Sequence, residues 1–326
     1  MAISDEITRL TNAKAAIKTA IEGKGVTVPS ATLLDGYAAL ITSIPTGGSS
    51  GLPDWLKDGD THLWINILNS YQLEQQLCLR MIGTVDWGDG TAAQSVNVTA
   101  YTTLTHTYAT PGKYRIDLHP TSGTFYLGRG SNSYNVMGAR SGRGYITVAL
   151  YQAEIGTSRI TSLTAAVFYY CRGLERVYVP KTIVAVGGDY IFAFCSSLEE
   201  VEFQDSSTIT TTNGPYSIFY SDTVLQDIHS YLPPAQTTMR ESTYRGCVCL
   251  TEITIPATVT TINAYAINGS SSLKVIHCLP TTPPTIADAN AFAPPAACVI
   301  EVPAASLATY QAANIWSTYA SQMVGV

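Results

Sequence analysis

Phe168-Tyr169-Tyr170-Cys171-Arg172-Gly173-Leu174-Glu175-Arg176-Val177-Tyr178-Val179-Pro180 is followed by Phe192-Ala193-Phe194-Cys195-Ser196-Ser197-Leu198-Glu199-Glu200-Val201-Glu202-Phe203. The second stretch repeats the first. Cys171 and Cys195, Leu174 and Leu198, and Val177 and Val201 are each 24 residues apart. The unit returns as Phe219, Leu225 and Ile228, then as Tyr244, Cys247, Leu250, Ile253, Ile255 and Pro256, then as Leu273, Val275, Ile276, Leu279 and Pro280. The steps between the leucines are 24, 27, 25 and 23 residues. A period in this range, with branched apolar residues after each leucine, marks a solenoid of stacked units. One unit cannot bury its own apolar face, so its neighbours must cover it. The expected product is a long binding surface rather than a catalytic pocket.

The rest of the composition agrees with such a surface. Charged residues make up 13% of the 326, about half the usual share, and Thr, Ser, Ala, Gly and Tyr take their place. The net charge of −6 and the absence of a basic run argue against a nucleic-acid partner. No stretch of about 18 apolar residues exists, so no membrane insertion is expected. Met1–Ile7 has no basic segment followed by an apolar one, so the reading expects no signal peptide. The seven cysteines are an odd number. Cys171 and Cys195 share one slot of successive units and read as buried free thiols, which suits folding in a reducing cytoplasm. Cys247 and Cys249 are too close together for a zinc knuckle.

Residues 1–22 read as a helix with Ile3, Ile7, Leu10, Ile17 and Ile21 on one seam, interrupted by Lys14. The seam packs either on its own chain or as a coiled coil between chains, and the second reading predicts a homo-oligomer assembled through the N-terminus. Val26-Thr27-Val28-Pro29 and a second amphipathic helix follow, so residues 1–46 form a helical assembly module and residues 47–59 a linker. This stretch resembles a short module at the start of tail and fibre proteins of gut bacteriophages.

Residues 60–128 read as a small β-sandwich, from alternating runs such as Leu63-Trp64-Ile65-Asn66-Ile67 separated by turn signals. Val85-Asp86-Trp87-Gly88-Asp89-Gly90-Thr91, then His106-Thr107-Tyr108, then Gly112-Lys113-Tyr114 resemble the polycystic-kidney-disease (PKD) type of immunoglobulin-like domain. Asp89-Gly90 supplies a turn needing positive φ. Trp87 plugs the core. Asp86, Asp89 and His106 read as turn and core residues in preference to a metal site, because calcium wants six or more oxygens.

Residues 129–302 hold the solenoid, opened by Ile146-Thr147-Val148-Ala149-Leu150, and residues 303–326 its C-terminal cap, with a helix over 306–316. The units resemble BspA-type leucine-rich repeats. The unit over 204–232 departs from the pattern at Tyr231-Leu232-Pro233-Pro234, and an irregular bulge is expected there. Overall the fold class is mainly β: a short N-terminal helical segment, a PKD-like sandwich and a leucine-rich-repeat solenoid with a capping helix.

No enzyme motif is present, the five histidines are scattered, and Glu199-Glu200 and Glu175 with Asp189 read as solvated faces. The expectation is a protein that is not an enzyme and takes no cofactor or metal. Tyrosine offers rigid amphipathic contact area, and Tyr178, Tyr216 and Tyr231 fall outside the buried slots. They are the binding candidates, with Arg129, Arg140 and Arg143 of the Gly/Ser-rich crossing as an anion-binding set. The function these resemblances imply is a phage tail or fibre component that attaches a virion to a host cell-surface protein or glycan and contacts other virion proteins. Virion proteins leave the cell by lysis and need no export signal. The alternative is a bacterial surface adhesin of the BspA type, located on the cell surface.

Overall fold

Residues 59–128, 135–137, 149–210, 215–226 and 234–326 are described by a computed structural model of the chain. The N-terminal module with Ile3, Ile7, Leu10, Ile17 and Ile21, most of the linker, and Arg129, Arg140, Arg143 and Tyr231 lie outside the described residues. Leu56–Val326 forms one compact unit. Among the described residues no helix is long and apolar enough to cross a membrane.

The chain enters through five antiparallel strands: β1 (Thr61–Ile67), β2 (Glu74–Asp86), β3 (Gln94–Asn97), β4 (Thr102–Thr107) and β5 (Gly112–Leu127). Alternation works as read: Leu63, Ile65 and Ile67 are buried, while Trp64 and Asn66 are half-buried. Hydrogen bonds join all five strands into one connected sheet, with β4 off the main path beside β2. β2 and β5, of 13 and 16 residues, are the longest strands described. β5 lies along one side of β2, while β4 pairs with its first half and β3 with its second. The pairing of β2 with β5 slips in register between Arg80 and Gly83. Gly83 is needed there, since a Cβ would lie 2.0 Å from the His119 carbonyl oxygen.

The turn after β2 behaves as the sequence asks. Gly90 has φ 81°. Trp87 is buried, donates its Nε1–H to Gln94 at 3.1 Å and stacks on His106 at 4.7 Å. The Tyr108 hydroxyl donates to the Trp87 carbonyl at 2.9 Å.

The repeats follow as β6 (Leu150–Glu154), β7 (Ser162–Leu163), β8 (Arg176–Val179), β9 (Ala185–Val186) and β10 (Glu200–Phe203). β6, β8 and β10 are parallel neighbours, and β7 and β9 form a second, narrower ladder. β6 also pairs antiparallel with β1, His62 opposite Glu154 and Leu63 opposite Ala153. The repeat sheet therefore runs without a break into the five entering strands, in the order β10-β8-β6-β1-β5-β2-β3.

Further along come β11 (Thr238–Met239), β12 (Glu252–Ile255), β13 (Thr261–Ile262), β14 (Val275–Cys278), β15 (Thr285–Ile286) and β16 (Val299–Val302). They again form two parallel ladders, β12-β14-β16 and β11-β13-β15. Among the described residues the repeat sheets part between β10 and β12. Of the unit over 204–232, where an irregular bulge is expected at Tyr231-Leu232-Pro233-Pro234, residues 211–214 and 227–232 lie outside the described residues, as does Pro233.

The cap differs from the single helix expected over 306–316. Helix α1 spans only Leu307–Ala312, and Ile315, at φ 64°, turns the chain into a 3-10 segment, Trp316–Gln322. A last strand, β17 (Met323–Gly325), returns to pair parallel with β16. Trp316 plugs the end of the core, donating to the Pro284 carbonyl at 2.7 Å, and the Tyr310 hydroxyl donates to Pro280 at 2.7 Å. The apolar end of the array is thus closed by aromatic rings whose polar tips find backbone acceptors.

Candidate binding surface

Two rows inside the solenoid set what appears outside. Leu174, Leu198, Leu225, Leu250 and Leu273 are all buried and face inward, as their spacing predicts. Beside them Phe168, Phe192, Phe219 and Tyr244 stack ring on ring, at 5.5, 5.4 and 5.8 Å and within 7° of parallel. Three residues after each ring comes the small slot: Cys171, Cys195, Asp222, Cys247 and, after Ile267, Ser270. At Cys195, Cys247 and Ser270 the slot residue donates back to the ring residue of the preceding unit. Cys195 Sγ meets the Phe168 carbonyl at 3.0 Å, Cys247 Sγ meets Phe219 at 3.0 Å, and Ser270 Oγ meets Tyr244 at 2.6 Å. All seven cysteines are free, and six are buried, Cys249 being half-buried.

The chain reverses sharply on either side of each ring. Two residues before it stand Ala166, Tyr190, Ser217, Ser242 and Tyr265, and two residues after it Tyr170, Phe194, Ser221, Gly246 and Gly269. All ten have positive φ. At these kinks the backbone bonds to the next unit: Tyr170 N–H to the Ala193 carbonyl, Phe194 to Tyr220 and Ser221 to Arg245, at 2.8–3.1 Å. The kinks leave the second set of rings half-buried on the turn face. Tyr170 lies flat against Phe194 at 4.6 Å and 8°, and Phe194 meets Tyr220 at 4.9 Å. Tyr169 touches Tyr170, Tyr190 and Phe194. Burial, and then the neighbouring phenols of Tyr170 and Tyr190, push the Tyr169 hydroxyl up to about 12, so it remains a hydrogen-bond donor.

Arginines finish this ribbon. Arg172 lies over Tyr170 at 5.5 Å, Arg245 over both Tyr220 and Tyr265 at 5.4 and 4.4 Å, and Arg240 over Tyr216 at 3.7 Å. Tyr216 is 38% exposed, as its position outside the slots suggests. Tyr178 is not exposed, which corrects the expectation. It is 6% exposed on β8, between Glu154 of β6 and Glu202 of β10, and burial followed by the Glu202 charge pushes its hydroxyl up to about 12. The sequence reading missed Phe194, Tyr220, Tyr265 and the three arginines. They do not share one position of the unit: counted from the ring, Phe194 stands two residues after, Tyr220 and Arg245 one after and Tyr265 two before.

Two polar clusters lie elsewhere. Asp89 bonds His106 Nε2 at 2.8 Å through one oxygen and accepts from Thr91 through the other. Burial opposes its ionisation, but the bonds from Thr91 and His106 outweigh it and hold the carboxyl down at about 2. Asp86 accepts from the Gly88 N–H at 2.9 Å. Both carboxylates therefore serve the turn, and among the described residues no group of three or more His, Cys, Asp or Glu could hold a metal ion. At the β1–β6 seam Glu154 is 2% exposed. One of its oxygens accepts from Gln152 at 2.6 Å and the other has no hydrogen-bond partner. Burial pushes Glu154 up to about 7, against the opposing pull of Gln152, His62 and Arg115.

Comparison with known proteins bears on the repeats. No curated protein matches the chain. Three solved structures are similar to parts of the chain. A leucine rich repeat protein of T. pallidum is 16% identical over 39% of this chain and 73% of its own, with a TM-score of 0.31. A leucine rich cell surface protein from Faecalibacterium prausnitzii A2-165 is 20% identical over 60% of this chain and 39% of its own, with a TM-score of 0.31. The pneumococcal vaccine antigen PcpA is 12% identical over 63% of this chain and 45% of its own, with a TM-score of 0.30. The chain thus spans less than half the length of the second and third. Residues 149–274 match the family described as BspA type Leucine rich repeat region, in six copies.

Proposed function

We propose that this chain is a non-enzymatic surface adhesin whose turn-face ribbon binds a partner on another cell or on its matrix. The observation that carries the reading is the ribbon itself: aromatic rings and arginines that continue across five units, half-buried, on the outside of a rigid array. Tyrosine and arginine dominate binding surfaces, and tyrosine offers large contact area at little cost in rotamer entropy. The BspA type repeat region supports the surface setting. The virion reading rests on the resemblance of residues 1–46 to phage tail modules and on the free thiols. The PKD-like turn fits either setting. The repeat match favours the surface adhesin over the virion component.

The test is adhesion of the full chain to host epithelial cells or to immobilised matrix. A fragment cut at residue 129 is a poor probe, since β6 would lose β1 as its neighbour. The expected result is saturable binding that a Tyr216→Ala, Tyr220→Ala double variant weakens while its circular dichroism and melting stay close to those of the parent. Adhesion that survives in this variant, or no adhesion by the parent, overturns the proposal.

A further inference from the structure

We infer that the turn-face ribbon recognises an acidic glycan, a polysaccharide carrying carboxylate or sulfate groups along its length. The inference rests on the adhesin reading above and names the chemistry of its ligand. Arg172, Arg240 and Arg245 are each laid over a tyrosine ring, and among the described residues none of the three has a carboxylate within ion-pair distance. A guanidinium over an aromatic ring keeps planar N–H donors that match the oxygens of a carboxylate or sulfate.

The arginines are also spread over separate units, Arg172 in the first and Arg240 and Arg245 in the fourth, with Phe194 and Tyr220 between. A ligand that reaches all of them is extended and carries repeated charges with apolar surface between. Sugar rings have that apolar surface on their C–H faces. An acidic peptide fits less well. Capture of an extended peptide by main-chain bonds to a free edge is closed at the kinks, whose backbone groups already bond from unit to unit; poly-glutamate in the test below covers capture of an acidic peptide by the arginines alone. A nucleic acid would need a broad basic patch, and the net charge is −6.

The full chain should be tested by biolayer interferometry against immobilised heparin, polygalacturonate, neutral dextran and poly-glutamate. Binding to heparin or polygalacturonate, weakened by added salt, and not to dextran or poly-glutamate, is the expected result. The two acidic glycans separate sulfate from carboxylate as the source of charge. Arg240→Gln and Arg245→Gln should each weaken binding about tenfold, the loss of one charge-assisted hydrogen bond, and Arg245→Lys should fail to restore it, since lysine keeps the charge without the planar fork. Unchanged melting temperatures establish that the variants fold. Equal binding to poly-glutamate, or glycan binding indifferent to these substitutions, overturns the inference. So does the absence of acidic-glycan binding by a chain that still adheres to cells, and in that case the adhesin reading stands without it.

Discussion

Asp222 accepts a hydrogen bond from the backbone N–H of Cys195 at 2.8 Å, from inside the slot that Cys171, Cys195, Cys247 and Ser270 fill in the other units. It is fully buried, and its second oxygen has no partner. Burial drives its carboxyl far above the ordinary range. A thiol or hydroxyl in this slot donates to the ring residue one unit back, and Ser270 shows that serine fits. Asp222→Ser should therefore stabilise the array by about 1–3 kcal/mol at pH 8, the cost of an unpaired buried polar group. The folded state holds a proton on Asp222 that the unfolded chain releases near pH 3.8, so this residue lowers stability as pH rises above that value. The variant should lose that part of the pH dependence. Urea melts of both proteins at pH 5 and 8 measure it, and a lower midpoint for the variant at pH 8 contradicts the assignment.

His277 acts across three units in the opposite sense. Its Nδ1 meets Glu301 at 2.5 Å and its Nε2 meets Glu252 at 2.8 Å, tying β14 to β16 and β12. Burial pulls its pKa down, and the bonds and charges of the two carboxylates outweigh it and raise it above 6.5. A raised histidine contributes stability that is fully present below pH 6.5 and is lost as pH climbs through the folded value. His277→Gln should lower the melting temperature at pH 5.5 and leave it nearly unchanged at pH 9. An equal loss at both values would show that the imidazolium charge is not what matters.

The kink two residues after each ring changes from Tyr170 and Phe194 through Ser221 to Gly246 and Gly269, while its positive φ is kept. A non-glycine residue in this region costs about 1–2 kcal/mol, and glycine loses about 0.5–1 kcal/mol in chain entropy. Ser221→Gly should therefore be stabilising by up to about 1 kcal/mol, and Gly246→Ala destabilising by about 1 kcal/mol. The second cost comes from φ alone, because a Cβ on Gly246 would rest 3.6 Å from Ser221 Cα, an ordinary contact. Denaturant midpoints decide both signs.

These kinks also mark how far the sequence could be read. The leucine row and the thiol slot were legible because their residue types recur with the period. The ribbon was not, because its positions are defined by backbone conformation and tolerate Tyr, Phe, Ser or Gly. Tyr178 was misjudged for a related reason: alternation puts it on the outer face of β8, and only its flanking strands bury it. The continuity of the sheet from β6 into β1, and the return of β17 to β16, join segments whose pairing no local pattern records. Of the candidate binding residues, Tyr216 falls on the surface now assigned, Tyr178 does not, and Tyr231, Arg129, Arg140 and Arg143 are not described.

The thiols give a direct chemical check. Cys171, Cys195 and Cys247 are completely enclosed, and burial raises each of them, Cys195 and Cys247 also through the nearby Asp222. Thiolates are the reactive form. The native protein should therefore expose no more than Cys249 to a thiol reagent, while unfolding without reductant should release all seven groups. A count of five or fewer in the unfolded protein would reveal a disulfide and contradict the structure.

The seam between β1 and β6 should carry its own pH signature. Glu154 lies opposite His62 there, buried, with one oxygen unpaired and its pKa raised to about 7. Between pH 4.5 and 7 the folded state keeps a proton that the unfolded state gives up, so stability falls across this window and levels off above it. Glu154→Gln retains the oxygen that Gln152 bonds and cannot ionise. Its stability should be nearly flat over the same window, so that the two curves converge at low pH and separate in favour of the variant at pH 8. Measuring both curves with the Asp222→Ser background present isolates the seam from the buried acid in the repeats. Parallel curves across the window would mean that Glu154 stays ionised on folding and that the seam tolerates the charge.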